Sequence, residues 1–274
     1  MLFSSQLAVA DQTSIPKSSG FSRVLQGLLG FNALAGHIGS RQLEKKLHKK
    51  LSGDFHVRLR PYSAIDLTHG VAKQLTIDGT NLIYDHALYI QSFHLETDKK
   101  TPLWMSTHHS RLKAPVEAEF SMVLTQEGIN QSLQTDAMQK RLNDIKIASV
   151  QHVRVISPRI TLDTNIMTVT TSVGVVDQPV DKAISVKIKT GLTPLPGSGQ
   201  LQLTGFDITT PAAENTEAMS QMAKDALENF LNPTHWLPRG YRQSTVRFQS
   251  IQITPQKLVV TAHLVLVPAS PLAK

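Results

Sequence analysis

The sequence predicts an α+β protein in which long amphipathic helices pack on a curved, mostly antiparallel sheet. Apolar residues alternate through many short segments, and those segments come in runs joined by short turns, which favours antiparallel pairing. Three other stretches carry the three-to-four-residue apolar spacing of a helix. Strand and helix do not alternate one for one, so a parallel α/β architecture is disfavoured.

The most informative stretch is Glu117 to Asn143. Phe120, Met122 and Leu124 alternate on one strand face, and the apolar period then lengthens through Ile129, Leu133, Met138 and Leu142. A helix is therefore expected to start at Thr125 without an intervening loop. Thr125 suits an N-cap and Glu127 the first helical turn, where the helix dipole favours an anion. Asn130 is read with them as helix-start chemistry. The strand face and the stripe of Ile129, Leu133 and Leu142 are expected to address the same interior.

The remaining elements follow in order. Phe21 to Leu51 reads as helix with a break at Gly36 and Gly39, and Gly53 is placed as its C′ residue. His56–Arg60, Ala64–Leu67, Lys73–Tyr84 and Leu88–Thr97 read as strands, with a bulge or bend at Gly79 and a phase change at Gln91-Ser92. After Asn143 come Ile145–Ile156, Arg159–Leu162 and Ile166–Val176, with turns at Ser157-Pro158 and Thr164-Asn165. Ala183–Leu192 and Leu201–Ile208 are further strands. A helix from Pro211 carries Met219, Met222, Ala223, Ala226, Leu227, Phe230 and Leu231 on one face, and Pro233 ends it. Two strands, Thr245–Thr254 and Lys257–Val267, close the chain across a turn at Pro255-Gln256. The 274 residues divide into a flexible tail over 1–20, one domain over 21–268 and a C-terminal tail over 269–274.

The net charge is +7. Residues 41–60 hold seven basic side chains (Arg41, Lys45, Lys46, Lys49, Lys50, Arg58 and Arg60) against Glu44 and Asp54, a net of +5. Such a concentration suits an anionic membrane, a nucleic acid or an acidic protein, or simply a solvated helix face. The cluster has no interleaved aromatics and no nucleic-acid-binding motif accompanies it, so lipid is favoured over nucleic acid. No apolar run is long enough to span a bilayer. The best, Val24 to Ile38, is short and carries Gln26, Asn32 and His37. An atypical export signal ending near Ala33-Leu34-Ala35 is the other reading of that run. The expected location is peripheral, on a membrane surface of unspecified side. Nothing in the pattern specifies an oligomeric state.

Chemistry-bearing motifs are sparse. Without cysteine the chain has no disulfide, thiolate ligand or thiol nucleophile. The eleven histidines show no metal-ligand spacing, and no nucleophile elbow, P-loop or dinucleotide fingerprint is present. No catalytic residue, metal or cofactor is expected.

Four stretches resemble the LmeA-like phospholipid-binding family, in its cyanobacterial-type form. They are HVRLRPYSAIDLTHGVAKQLTIDGTNL after the basic helix, LYIQSFHLETDKKTPLWM, VLTQEGINQSLQTDAMQKRL, and WLPRGYRQSTVRFQSIQITPQKLVVTAHL near the C-terminus. Gly128 stands where the family usually has aspartate, and Ala262 near a customary glycine. The resemblance covers roughly Leu43 to Val267. It implies a tubular lipid-binding (TULIP-like) fold with a helix lying in a strongly curved sheet, and non-enzymatic binding of phospholipid. On that basis Phe120, Met122, Leu124, Ile129, Leu133, Met219, Met222, Leu227 and Phe230 are the candidates to line an acyl-chain cavity. Arg41, Lys45, Lys46, Lys49 and Lys50 are the candidates for head groups or the membrane surface. The competing reading is a protein-interaction or nucleic-acid-binding module with a solid core and a basic helix. Periodicity alone does not separate a filled core from a lipid cavity.

Overall fold

A computed structural model describes residues 44–45, 47–48, 50–104, 112–143, 146–147, 151–175, 179, 182–196, 199–210, 220–221, 223–225, 227–228 and 244–267. The expectations for both tails, and for most of the helices before Leu51 and after Pro211, lie outside these residues.

The described elements begin with β1 (Leu51–Arg60), α1 (Ala64–Thr68), β2 (Val71–Ala72), β3 (Gln74–Tyr84), β4 (Leu88–Thr97), β5 (Leu103–Trp104) and β6 (Val116–Thr125). Then come α2 (Gln126–Leu133), α3 (Asp136–Leu142), β7 (Lys146–Ile147), β8 (Gln151–Asp163), β9 (Ile166–Val175), β10 (Ile184–Pro194), β11 (Leu201–Thr209), β12 (Thr245–Thr254) and β13 (Lys257–Leu266). Every pairing among them is antiparallel. The strands form a six-stranded sheet in the order β1-β3-β4-β6-β13-β12, a five-stranded sheet in the order β11-β10-β9-β8-β7, and a β2-β5 ribbon. The C-terminal hairpin thus returns across the chain to pair β13 with β6 in unbroken register, from Lys257↔Thr125 to Leu266↔Val116.

Several expectations are corrected. In place of one strongly curved sheet around long helices, the described strands divide among two sheets and a small ribbon. The single helix expected from Thr125 to Leu142 is two short ones. Its apolar positions are spaced four, five and four, and the break falls in the five-residue gap. There Thr135 donates its hydroxyl proton to Ser132 O (2.8 Å) and leaves the helical path. Residues 64–68 are the short helix α1 rather than a strand, because the Ser63 hydroxyl caps it by accepting from Asp66 N (3.1 Å). Leu51 opens a strand, and Gly53 is a strand irregularity rather than a helix terminus. Its φ of +108° and an Asn81 carbonyl 2.2 Å from where a Cβ would sit both require glycine. The β3 irregularity opposite falls at Asn81 (φ 50°) and not at Gly79, which instead leaves room for the Leu82 side chain. The phase change at Gln91-Ser92 is present at the same level of β4. Ser157-Pro158 is a bulge inside β8 and not a turn: Ile156 pairs with Ser172 and Arg159 with Thr170, so one extra residue is absorbed, with Ser157 at φ 49°.

One face of the six-stranded sheet is apolar throughout. Phe55 and Val57 on β1, Leu75 and Ile77 on β3, Phe93 and Leu95 on β4, Phe120 and Met122 on β6, Ala262 and Leu264 on β13, and Val246 and Phe248 on β12 belong to one buried cluster. Fully burying each large side chain is worth about 1.5–3 kcal/mol. The Phe93 and Phe120 rings stack with centroids 6.3 Å apart. Ala72 and Leu103, paired across the small ribbon, are fully buried in the same cluster and anchor that ribbon by one face.

Helix α2 joins the two sheets. Gly128 and Ser132 are its buried residues. The Ser132 hydroxyl accepts from Tyr89 N (2.9 Å) and donates to Gly128 O (2.7 Å), beyond the last β4–β6 pair at Ser92↔Val123. Ser132 therefore supplies the acceptor that a longer β6 would have offered. The opposite stripe faces β8. Gln126 Oε1 accepts from Leu162 N (2.8 Å), and Asn130 accepts from Ile160 N (2.7 Å) while donating to Ile160 O (2.8 Å). Gln134 Nε2 donates to Pro158 O (3.1 Å).

Two outcomes test this account. Asn130→Ala leaves both backbone groups of Ile160 without their partner and is expected to lower stability by about 1–3 kcal/mol in chemical denaturation, with faster amide exchange at Ile160. Gly53→Ala is expected to destabilise by more than about 1 kcal/mol, because the native backbone conformation excludes a Cβ.

Candidate lipid and membrane site

The candidates on β6 lie deep in the sheet interior. Phe120, Met122 and Leu124 are buried on its inward face, held by continuous pairing to β13 and, up to Val123, to β4. Strand alternation puts Ala118 and Val116 on the same face, extending it to the strand's start. Of the helical candidates, Ile129 is half-buried and packs against this cluster. It also packs against a second, smaller one built on Leu162, Met167 and Ile253. Leu133 is half-buried. Helix and strand therefore meet the common interior through Ile129, while the closest helix approach is made by Gly128 and Ser132. At Gly128, where the family pattern has aspartate, an added Cβ would lie 3.3 Å from Tyr89. The glycine lets the helix axis come close to β4.

Thr125 is the N-cap, its hydroxyl accepting from Gly128 N (3.0 Å), and Glu127 sits in the first turn. Asn130 departs from the helix-start reading, because its amide is spent on β8.

Leu227 is half-buried in a helical segment whose Glu228 carboxylate accepts from Leu203 N of β11 (3.1 Å). Met219, Met222 and Phe230 lie outside the described residues. So do Arg41, Lys46 and Lys49 among the basic candidates. Lys45 and Lys50 are exposed on either side of Leu47, which is 3% exposed and part of the core. That segment covers the free edge of β1: Glu44 Oε1 accepts from Val57 N (2.9 Å), and the His48 ring packs tilted against Phe55 with centroids 4.4 Å apart. Lys45 and Lys50 face outward where Leu47 faces in.

A broad open depression of about 1200 Å³ lies beside α2 and the β8–β9 hairpin. It is lined by polar groups such as Asn130, Gln134, Arg159, Thr170 and Ser172. Ile156, Pro158 and Ile160 also line it, so its surface mixes hydrogen-bonding and apolar groups. Among the described residues no helix is long and apolar enough to cross a bilayer.

The outward face of the six-stranded sheet carries a charged ladder that spacing did not reveal. Arg58 Nη2 donates to Asp78 Oδ2 (2.8 Å), and His94 Nδ1 meets Asp78 Oδ1 (2.6 Å). Lys99 pairs with Glu96 (3.1 Å), which also accepts from Gln74. Partial burial raises the Asp78 pKa, but the hydrogen bonds from Arg58 and His94 and their charges outweigh it and hold the carboxyl below its usual range. The Lys99 hydrogen bond likewise holds Glu96 low against partial burial. The signal that finds this ladder is register: Asp78 stands opposite His94, and Thr76 opposite Glu96, only once β3 and β4 are aligned.

A family model described as LmeA-like phospholipid-binding matches residues 29–263. The chain belongs to the LmeA-like phospholipid-binding family. That match takes in every strand described above up to His263, so both sheets are part of the family's unit. No curated protein and no solved structure is matched by the chain. Family membership supports lipid as the class of partner.

The ladder gives a pH prediction. Asp78 is depressed in the folded state, so its stabilisation is complete above the unfolded carboxylate value and is lost as pH falls through the folded value. Below about pH 5 the wild type is expected to lose stability progressively relative to Asp78→Asn, and the two denaturation midpoints converge. Added salt should shrink the difference at neutral pH, because all the partners are at the surface.

Proposed function

We propose that this protein is a non-enzymatic phospholipid-binding protein that works at an anionic membrane surface and holds acyl chains between its helices and the apolar face of the six-stranded sheet. The observation that carries the reading is family membership over residues 29–263, joined to one apolar sheet face that runs from β1 to β12. Phe120, Met122, Leu124, Ile129 and Leu133 would meet the chain from the sheet and α2, and Met219, Met222, Leu227 and Phe230 from the later helix. Unbranched methionine side chains adapt to irregular apolar ligands, which suits such a lining. The basic segment supplies the electrostatic half. Arg41, Lys45, Lys46, Lys49 and Lys50 would each contribute about 1 kcal/mol near anionic lipid, enough for reversible docking.

Organic extraction of the purified protein followed by mass spectrometry should recover phospholipid in stoichiometric amount. Lipid-free protein that also ignores anionic vesicles would sink the proposal. Charge reversal of Lys45, Lys46, Lys49 and Lys50 together is expected to weaken binding to anionic vesicles by about tenfold or more in co-sedimentation and to flatten its salt dependence.

A further inference from the structure

The largest exposed hydrophobic side chains on the β1 side of the six-stranded sheet collect at one tip. Ile65 is 70% exposed, Tyr62 50% and Trp104 46%. Chain path and pairing bring them together. Tyr62 lies in the short connection from β1 into α1, and Ile65 is on α1, a five-residue helix with no buried residue. Helix α1 leads through His69 and Gly70 (φ 78°) into β2. There Val71 stands directly opposite Trp104 of β5. The ribbon's inner face is Ala72 and Leu103, so Val71 and Trp104 share the outer one. Lys73 N bonds Arg60 O (2.7 Å) and Lys113 N bonds Trp104 O (2.9 Å), which draws both ends of the ribbon into the same cap.

This cap is costly as a purely structural element. A five-residue helix is marginal by itself, and no residue of this one is fully buried. It is nevertheless held in place: Ser63 caps its start, and His69 closes its end through its backbone N–H to Ile65 O (3.2 Å) and its ring Nδ1 to the same oxygen (2.8 Å). The fold thus spends hydrogen bonds on presenting Ile65 to the outside. Arg60, Lys73 and Lys113, all exposed, flank the apolar group. The nearest carboxylate on α1, Asp66, is engaged by Ser63 (2.6 Å). Tryptophan and tyrosine beside an aliphatic side chain, with cations around them, match the boundary between anionic head groups and acyl chains. Three cations stand against the single carboxylate Asp66 in this tip, and that balance favours an anionic lipid surface over an apolar protein partner.

We infer that the α1 and β2–β5 tip is the membrane-inserting element, with Ile65, Trp104 and Tyr62 entering the interface of an anionic bilayer and Arg60, Lys73 and Lys113 resting on its head groups. The inference deepens the proposed lipid-binding function and rests on it for the choice of partner. It gives the protein a second contact distinct from the basic segment beside β1.

The chain has two tryptophans, Trp104 and Trp236. In a Trp236→Phe background, Trp104 is the sole indole reporter. Phosphatidylcholine vesicles containing phosphatidylserine should shift its emission to the blue, and brominated acyl chains should quench it. Ile65→Asp should weaken vesicle binding by about tenfold or more, the loss of one buried aliphatic side chain. Thermal melting should be unchanged, because the site is exposed. Lys73→Glu with Lys113→Glu should weaken binding through charge alone and reduce its salt dependence. Trp104 emission blind to vesicles that do bind the protein would overturn the inference, as would wild-type binding by Ile65→Asp. Self-association abolished by Ile65→Asp, with no vesicle response, would overturn it in favour of a second copy. Lipid extraction separates the two readings: protein that carries phospholipid but leaves Trp104 outside the bilayer refutes only this tip, and lipid-free protein whose Trp104 inserts refutes only the cargo.

Discussion

The structure depends on how α2 satisfies the unpaired edge of β8. Beyond the short β7 pairing, β8 has a strand neighbour on one side only, and residues 158, 160 and 162 direct their backbone groups to the other. Gln126, Asn130 and the C-cap Gln134 recur every fourth residue along α2, a rise of about 6 Å per step. Alternate residues of a strand advance by about 6.6 Å. The two periods match over three contacts, so one helix stripe of side-chain amides serves as a surrogate strand. Leu162 N is met by Gln126 and its O by Gln256 N; Ile160 N and O are both met by Asn130; and Pro158, which has no N–H to satisfy, has its O met by Gln134. An edge left bare would be a template for another chain.

The same helix ties the other sheet. Gln126 N bonds Gln256 O at the β12–β13 turn, and Ser132 bonds Tyr89 N where β6 stops pairing with β4. Asn165 N bonds Ile253 O, linking the β8–β9 turn to β12. The junction of β6 and α2 is therefore one place where the two sheets are tied, beside the packing of β12 on β8, β9 and β10. Its hydrophobic part is small, Ile129 and Leu258 packing against both clusters, so polar pairing sets the geometry and apolar burial supplies the driving force. The outer edge of the six-stranded sheet is closed by the same device: Glu44 accepts from Val57 on β1 while Leu47 enters the core.

This arrangement separates the protein's surfaces by chemistry. The inward face of the six-stranded sheet is apolar, its outward face carries the Arg58, Asp78, His94, Glu96 and Lys99 ladder, and the depression beside α2 mixes hydrogen-bonding and apolar groups. The cap at the Arg60 end of β1 differs from all three, with exposed aromatic and aliphatic side chains set among cations. Under the proposed function, the apolar interior and the membrane-facing tip would occupy different parts of the fold.

The sequence by itself determined the strands, their faces and the antiparallel habit, because alternation of apolar residues is a local property that burial on one face imposes. Phe120, Met122 and Leu124 were legible in this way, as was the Thr125 cap, which needs only its own helical turn. The family was legible as well, since its segments are contiguous. The division of strands into two sheets was not, because β6 pairs with β13 from the far end of the chain and nothing near Phe120 announces that partner. The Ser157-Pro158 bulge read as a turn because Pro ends local patterns, whereas Gln134 and Thr171 accommodate it from distant elements. Asn130 read as helix-start chemistry and Gln126 and Gln134 carried no signal, since glutamine and asparagine on a helix usually face water. Only the tertiary structure decided that they face a strand edge, because a backbone group's need for a partner depends on which neighbours the fold has left it without.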